Sequence, residues 1–241
     1  MCKRWYELLK NNCWKNIKLL NLTEISSKVR SLRPSVNDHT NDIFKAIVKR
    51  CKIDKIIIDE YNLFELDEVE IFNHIGLYCS ETLKYLDISG LEKINDNCIK
   101  ILRKYQCFNV EYLKLNWLLS SCETELSLFI NDNKNLETVI FNFCELSGLC
   151  FNKSNDNLKF IQINNCPYFK EDLIDNIRSS NKNLTSFKLA VFNIELFQSV
   201  IFFVTNYDFV QNMGLWMNLK DFVLNTICAI KLDDKAVERI N

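Results

Sequence analysis

Glycine and proline are scarce in this chain: its 241 residues hold four of the first and two of the second. That shortage argues against a loop-built all-β domain and against a Gly-rich cradle for phosphate. Histidine is limited to His39 and His74, and neither stands in a Cys/His spacing typical of zinc. His39 falls in a polar stretch read as a loop, and His74 in a helical pattern where a solvent-facing position is expected. A nucleophile elbow, a Walker sequence, a dinucleotide fingerprint and a metalloprotease motif are all missing, so neither an enzyme nor a cofactor is expected. The 30 basic and 31 acidic side chains nearly cancel, leaving no overall field that would select nucleic acid or an anionic membrane. Long apolar runs are lacking too. The greasiest stretch, 189–204, is interrupted by Asn193, Glu195 and Gln198, so no bilayer crossing is expected.

Cysteine, by contrast, is plentiful. The 11 cysteines are dispersed, without a C-x-x-C pair and without a secretory signal ahead of them, which points to reduced thiols and a cytoplasmic or nuclear protein. Cys98, Cys122 and Cys150 have no neighbouring His or basic pocket, so structural thiols are expected there.

A short phrase, apolar-x-x-apolar-x-apolar, returns along the chain. It occurs as Ile53/Ile56/Ile58, Leu83/Leu86/Ile88, Val110/Leu113/Leu115, Leu136/Val139/Phe141, Leu158/Ile161/Ile163, Leu184/Phe187/Leu189 and Leu219/Phe222/Leu224. Successive phrases begin 30, 27, 26, 22, 26 and 35 residues apart. Apart from the two ends, these intervals sit near the roughly 20–29 residues of leucine-rich repeats. Each phrase alternates as a strand with one buried face does. After it comes helical spacing: Ile94, Ile99 and Leu102 behind Asn95 or Asp96 as cap, Val69, Phe72 and Ile75 behind Asp67, and Leu173, Ile174 and Ile177 behind Glu171 and Asp172. Each unit is therefore expected to be strand, turn and helix. The expected fold class is α/β, a leucine-rich-repeat solenoid with parallel strands on the concave face and helices on the convex face. One unit buries too little to fold alone, so stability must be shared between neighbours, with 233–240 as a terminal cap. The segment 190–218 is longer than its neighbours and is expected to hold an extra helix or a loop.

The unit from Leu83 to Leu102, LKYLDISGLEKINDNCIKIL, resembles the cysteine-containing leucine-rich repeat of F-box proteins. Ile94 and Asp96 match that family's I-x-D, while Leu91 replaces its Cys; Cys144 and Cys166 keep the Cys in two later units. Cys79 and Cys107 stand just before a strand, where the family often has Cys-Pro-Asn. At the amino end, Cys2-Lys3-Arg4-Trp5-Tyr6-Glu7-Leu8-Leu9 with Trp14 is similar to the closing helix of an F-box, V-C-[KR]-x-W. The family's L-P-x-E segment and first helices have no counterpart ahead of it, so 1–22 reads as the C-terminal remnant of an F-box and 23–241 as the repeat domain. Either the chain is a fragment or adaptor binding has been lost. The resemblance implies a non-catalytic substrate-recognition subunit of an SCF-type cullin-RING ubiquitin ligase. Its partners would be adaptor, cullin and a protein target marked for degradation. A repeat scaffold without ubiquitin transfer is the alternative.

On such a solenoid the outward strand positions form the recognition surface. These are Lys55, Ile57 and Asp59; Tyr85, Asp87 and Ser89; Tyr112, Lys114 and Asn116; Thr138, Ile140 and Asn142; Phe160, Gln162 and Asn164; and Ser186, Lys188 and Ala190. Tyr85, Tyr112 and Phe160 are expected to make an aromatic column, either an interface core or mere cross-strand pairing. Trp5, Leu8 and Leu9 have helical spacing and would face the adaptor or pack on the first repeat. Lys49, Arg50, Lys52 and Lys55 make a basic cluster that Asp54, Asp59 and Glu60 blunt; it reads as a solvated helix end.

Overall fold

The computed structural model describes residues 18–21, 40–59, 67–91, 94–147, 149–151, 153, 155–166, 168, 177, 180–191 and 221–226. Trp5, Leu8, Leu9, Trp14 and His39 lie outside the described residues, as do the cap at 233–240, most of 190–218 and the start of the helix expected from 171.

Eight strands form one sheet in chain order, each parallel to the next: β1 (Leu19–Asn21), β2 (Lys55–Ile57), β3 (Tyr85–Asp87), β4 (Tyr112–Asn116), β5 (Thr138–Asn142), β6 (Phe160–Asn164), β7 (Ser186–Val191) and β8 (Asp221–Thr226). A parallel neighbour requires a crossover. Four of the crossovers' helices are described, α1 (Thr40–Val48), α2 (Glu68–Cys79), α3 (Asp96–Lys104) and α4 (Glu123–Asp132), and consecutive helices pack side by side. The register brings the middle residues of the repeated phrase into one row, Leu20, Ile56, Leu86, Leu113, Val139, Ile161, Phe187 and Phe222. From Leu20 to Phe187 that row is buried in a single core. The architecture is therefore a leucine-rich-repeat solenoid. Helices are about 10 Å wide and strands about 4.8 Å apart, so the stack bends with the sheet on its inner, concave side.

The helices start where the sequence places their caps. The Asp67 carboxylate accepts from Glu70 N at 3.0 Å, and Asn95 Oδ1 accepts from Asn97 N at 3.0 Å and Cys98 N at 3.3 Å. Ile94, Ile99 and Leu102 face the core together. On the outer side Arg103 of α3 reaches α4, donating to Glu125 at 2.8 Å and to Asp132 at 3.2 Å. Among the described residues no helix is long and apolar enough to cross a membrane.

Three details differ from expectation. The unit between β5 and β6 carries a single 3-10 turn, Leu149–Phe151, in place of a helix, because the 22-residue interval is the shortest in the array and leaves no room for more. The turn is held instead by the buried Glu123 carboxylate of α4, which accepts from Ser147 N at 3.0 Å, Ser147 Oγ at 2.6 Å and Cys150 N at 3.4 Å. His74 is 8 % exposed rather than solvent-facing. It belongs to α2, which is flanked by α1 on one side and α3 on the other, and its Nε2 lies 3.3 Å from Glu70 Oε1. Finally, the sheet already begins at Leu19, within 1–22. The phrase Ile17/Leu20/Leu22 carries the same signature there, hidden by its long distance from Ile53.

Candidate protein-interaction site

On the face away from the helices, side chains at alternate strand positions form three rows running across the strands. The first row reads Lys55, Tyr85, Tyr112, Thr138, Phe160 and Ser186; the second Ile57, Asp87, Lys114, Ile140, Gln162 and Lys188. The alternation is visible in burial: Tyr112 and Lys114 are half-buried while Leu113 and Leu115, which alternate with them, are inaccessible. The same holds for Thr138 and Ile140 on β5 and for Phe160 and Gln162 on β6.

The aromatic column of the sequence reading is interrupted. Tyr85 and Tyr112 stack face to face, with ring centres 4.0 Å apart and planes inclined by 7°. Burial first, and then the hydrogen bond to Tyr85, pushes the Tyr112 phenol above its ordinary range. Phe160 does not join them, because the register sets Thr138 between it and Tyr112. Two ammonium groups cap rings of the row, which by register continues to Leu19 beyond Lys55 and to Asp221 beyond Ser186: Lys55 Nζ lies 4.0 Å from the Tyr85 centroid and Lys188 Nζ, from the second row, 5.3 Å from that of Phe160. Lys55, which the sequence placed both among the outward strand positions and in a basic cluster, belongs to this face, and Lys49, Arg50 and Lys52 are exposed as expected.

Four residues expected to face outward are covered instead. Asp87 is 5 % exposed, pinned by Lys114 Nζ at 3.0 Å and accepting from Ser89 N at 3.1 Å. Ser89, Asn116 and Ser186 are buried as well. Long neighbouring side chains close over short polar ones on an inward-curving sheet, so these residues shape the face from beneath. Asn116 opens the third row, a ladder in which Asn116 Nδ2 donates to Ser89 O at 2.8 Å, Asn142 Nδ2 to Asn116 Oδ1 at 2.6 Å, and Asn164 Nδ2 to Asn142 Oδ1 at 2.6 Å.

Beyond the ladder lies a feature that the sequence reading missed. Trp117, Phe143 and Asn165, each directly after a ladder asparagine, take positive φ angles of 56°, 55° and 54°. Non-glycine residues rarely do so, and bulky ones still less often. The bend turns Trp117 and Phe143 onto the sheet's edge, where they stack at 4.5 Å. The repeated Asn-aromatic pairs Asn116-Trp117 and Asn142-Phe143 were the available signal. At the opposite edge an open groove of about 550 Å³ near Lys84 and Glu111 is lined by charges of both signs, with those two paired at 2.7 Å.

All eight described cysteines are buried free thiols, Cys98, Cys122 and Cys150 among them, as the sequence suggested. Burial raises all three above the ordinary thiol range. Among the described residues no group of three His, Cys, Asp or Glu side chains could hold a metal ion.

No family model matches the sequence, and no curated protein does. Among solved structures the chain is similar to one described as "Crystal structure of Rad7 and Elc1 complex in yeast", with a TM-score of 0.47 and 15 % identity, over 99 % of this chain and 52 % of that one. The chain thus spans about half the length of that solved chain.

Proposed function

We propose that the concave face captures a protein partner, and that the chain acts as the substrate-recognition subunit of an SCF-type cullin-RING ubiquitin ligase, presenting that partner for ubiquitination and degradation. The observation that carries the binding half is the first row: stacked Tyr85 and Tyr112, then Phe160, with Lys55 and Lys188 over its rings, on the sheet face that none of the described helices covers. Aromatic rings with adjoining cations are the groups enriched at the centres of protein interfaces. The ligase half is supported by the resemblance of Cys2–Leu9 and Trp14 to the closing helix of an F-box, with Trp5, Leu8 and Leu9 toward the adaptor, and by the cysteine-type repeat units. On this reading the chain does no chemistry, needs no cofactor and works in the cytoplasm or nucleus, and ubiquitin transfer belongs to other subunits.

Affinity purification of the tagged chain from cells, with identification of what accompanies it, tests both halves. Adaptor and cullin are expected with the wild type and lost in a Trp5→Ala/Leu8→Ala/Leu9→Ala variant. The target is expected to be lost in Tyr112→Asp, with the adaptor retained. A Tyr112-dependent partner recovered with neither adaptor nor cullin would overturn the ligase assignment and leave a non-catalytic interaction scaffold.

A further inference from the structure

The interruption of the aromatic row is itself informative. Tyr112 and Phe160 stand on strands two apart, which sets their rings about 10 Å from each other across Thr138. Aromatic rings pair at centroid distances of about 4.5–7 Å. One flat side chain therefore fits between Tyr112 and Phe160 and contacts both, resting on the short side chain of Thr138.

The flanks of this slot are positively charged at defined distances. Toward β3 the path crosses half the gap, the 4.0 Å Tyr112–Tyr85 stack and the 4.0 Å to Lys55 Nζ, about 13 Å in all. Toward β7 it crosses half the gap and the 5.3 Å from the Phe160 ring to Lys188 Nζ, about 10 Å. Lys114, the third lysine of the face, is already neutralised by Asp87. Among the described residues neither Lys55 nor Lys188 has a carboxylate partner, and each is held by a ring beneath it.

We infer that the concave face recognises an extended acidic peptide lying crosswise to the strands, with an aromatic side chain in the Tyr112–Phe160 slot and a carboxylate on each side of it at Lys55 and Lys188. At about 3.3 Å per extended residue, and with alternate side chains facing the sheet, the carboxylates stand about four positions from the aromatic toward Lys55 and about two or four toward Lys188. Single-stranded nucleic acid, which also combines rings with negative charge, fits less well. It carries a charge at every nucleotide and requires a continuous basic track, whereas this face offers two separated ammonium groups with the Asp87 carboxylate between them. The inference rests on the reading of this face as a partner-binding surface, and supplies the chemistry of the partner.

Fluorescence anisotropy with the full chain and labelled Ser/Ala peptides tests it. The probes carry a central Phe with Glu at the two flanking positions, in both chain directions; their controls replace Glu by Lys, or Phe by Ser, and a short oligothymidylate represents nucleic acid. The Glu/Phe/Glu peptide is expected to bind at least about tenfold more tightly than its Lys counterpart, with the order inverted in a Lys55→Glu/Lys188→Glu variant. Thr138→Trp, which fills the slot, is expected to abolish binding while circular dichroism and the melting temperature confirm folding. Equal or tighter binding of the Lys peptide or the oligothymidylate by the wild type would overturn the acidic assignment. So would absence of binding by every probe. The broader reading fails separately, through retention of a cellular partner by Tyr112→Asp.

Discussion

The first and second halves of the array solve the same problem with different chemistry. Each chain segment entering a strand passes a buried position one turn ahead of the leading aliphatic residue. In the earlier units Cys79 and Cys107 occupy it, and in the later ones Asn133, Asn155 and Asn181 do, all at most 1 % exposed. A thiol is a small hydrophobe that can be buried without a partner, whereas a buried amide must be bonded. Asn133 and Asn155 meet that demand, Asn133 Nδ2 donating to Val110 O at 2.9 Å and Asn155 Nδ2 to Ile130 O at 2.7 Å and Asn133 O at 3.0 Å, while Asn181 Nδ2 donates to Ile177 O at 3.0 Å and its buried Oδ1 has no partner among the described residues. In the thiol units α1, α2 and α3 pack against one another, while in the asparagine units side chains are tied to backbone carbonyls, Asn133 behind the full helix α4 and Asn155 behind the 3-10 turn. Ile130, for instance, sits in the last turn of α4, where carbonyls lack an intrahelical donor.

If that contrast is correct, the two kinds of position are not interchangeable. Asn155→Ala strands two buried carbonyls and the Asn157 amide that Asn155 Oδ1 accepts at 3.1 Å, so a loss of about 3–5 kcal/mol is expected in urea unfolding. Cys107→Ala, which removes only a small apolar group, should cost about 1 kcal/mol. Equal losses at the two sites would abolish the distinction.

The thiols of the first half give a pH signature, shared with the buried Cys122, Cys144 and Cys150 of the second. Burial pushes both Cys79 and Cys107 up to about 12. An unfolded chain releases thiol protons from about pH 8.5 upward, so between there and 12 the unfolded state binds fewer protons and stability falls as pH rises. The expected loss is about 1.4 kcal/mol per pH unit for each thiol, with no dependence on these groups below about pH 8. Comparing urea midpoints at pH 8 and pH 10 checks it. A Cys79→Ala/Cys107→Ala variant should lose less stability over that interval than the wild type, and an identical loss in both would refute the assignment.

A smaller effect is expected at the seam between α2 and α3. A Cβ added at Gly76 would collide with the Tyr105 ring and crowd its Cβ, which the backbone fixes. Gly76→Ala gains up to about 1 kcal/mol in helix propensity. Overpacking costs about 1–3 kcal/mol, so a modest drop in melting temperature is expected, and an increase would show that the helical backing is looser than described.

Much of the fold could be read directly from the chain. The aliphatic phrases, with Asp67 and Asn95 as caps, specify strand, turn and helix because burial and capping act within one unit or its immediate neighbour. A second written repeat went unread: Asn133-x-Asn135-Leu136, Asn155-x-Asn157-Leu158 and Asn181-x-Asn183-Leu184 mark the latches as regularly as leucine marks the core. The candidate site was legible as a set of positions but not as an arrangement.

Local periodicity determined which residues share a face, since the alternation of a strand is a property of the backbone alone. Only the tertiary structure decided that Thr138 opens a slot between Tyr112 and Phe160, that Lys55 and Lys188 rest on rings, and that Asp87 is spent on Lys114. Those outcomes depend on the register between strands more than 20 residues apart, and on side-chain reach across it. Both are set by how the whole stack packs.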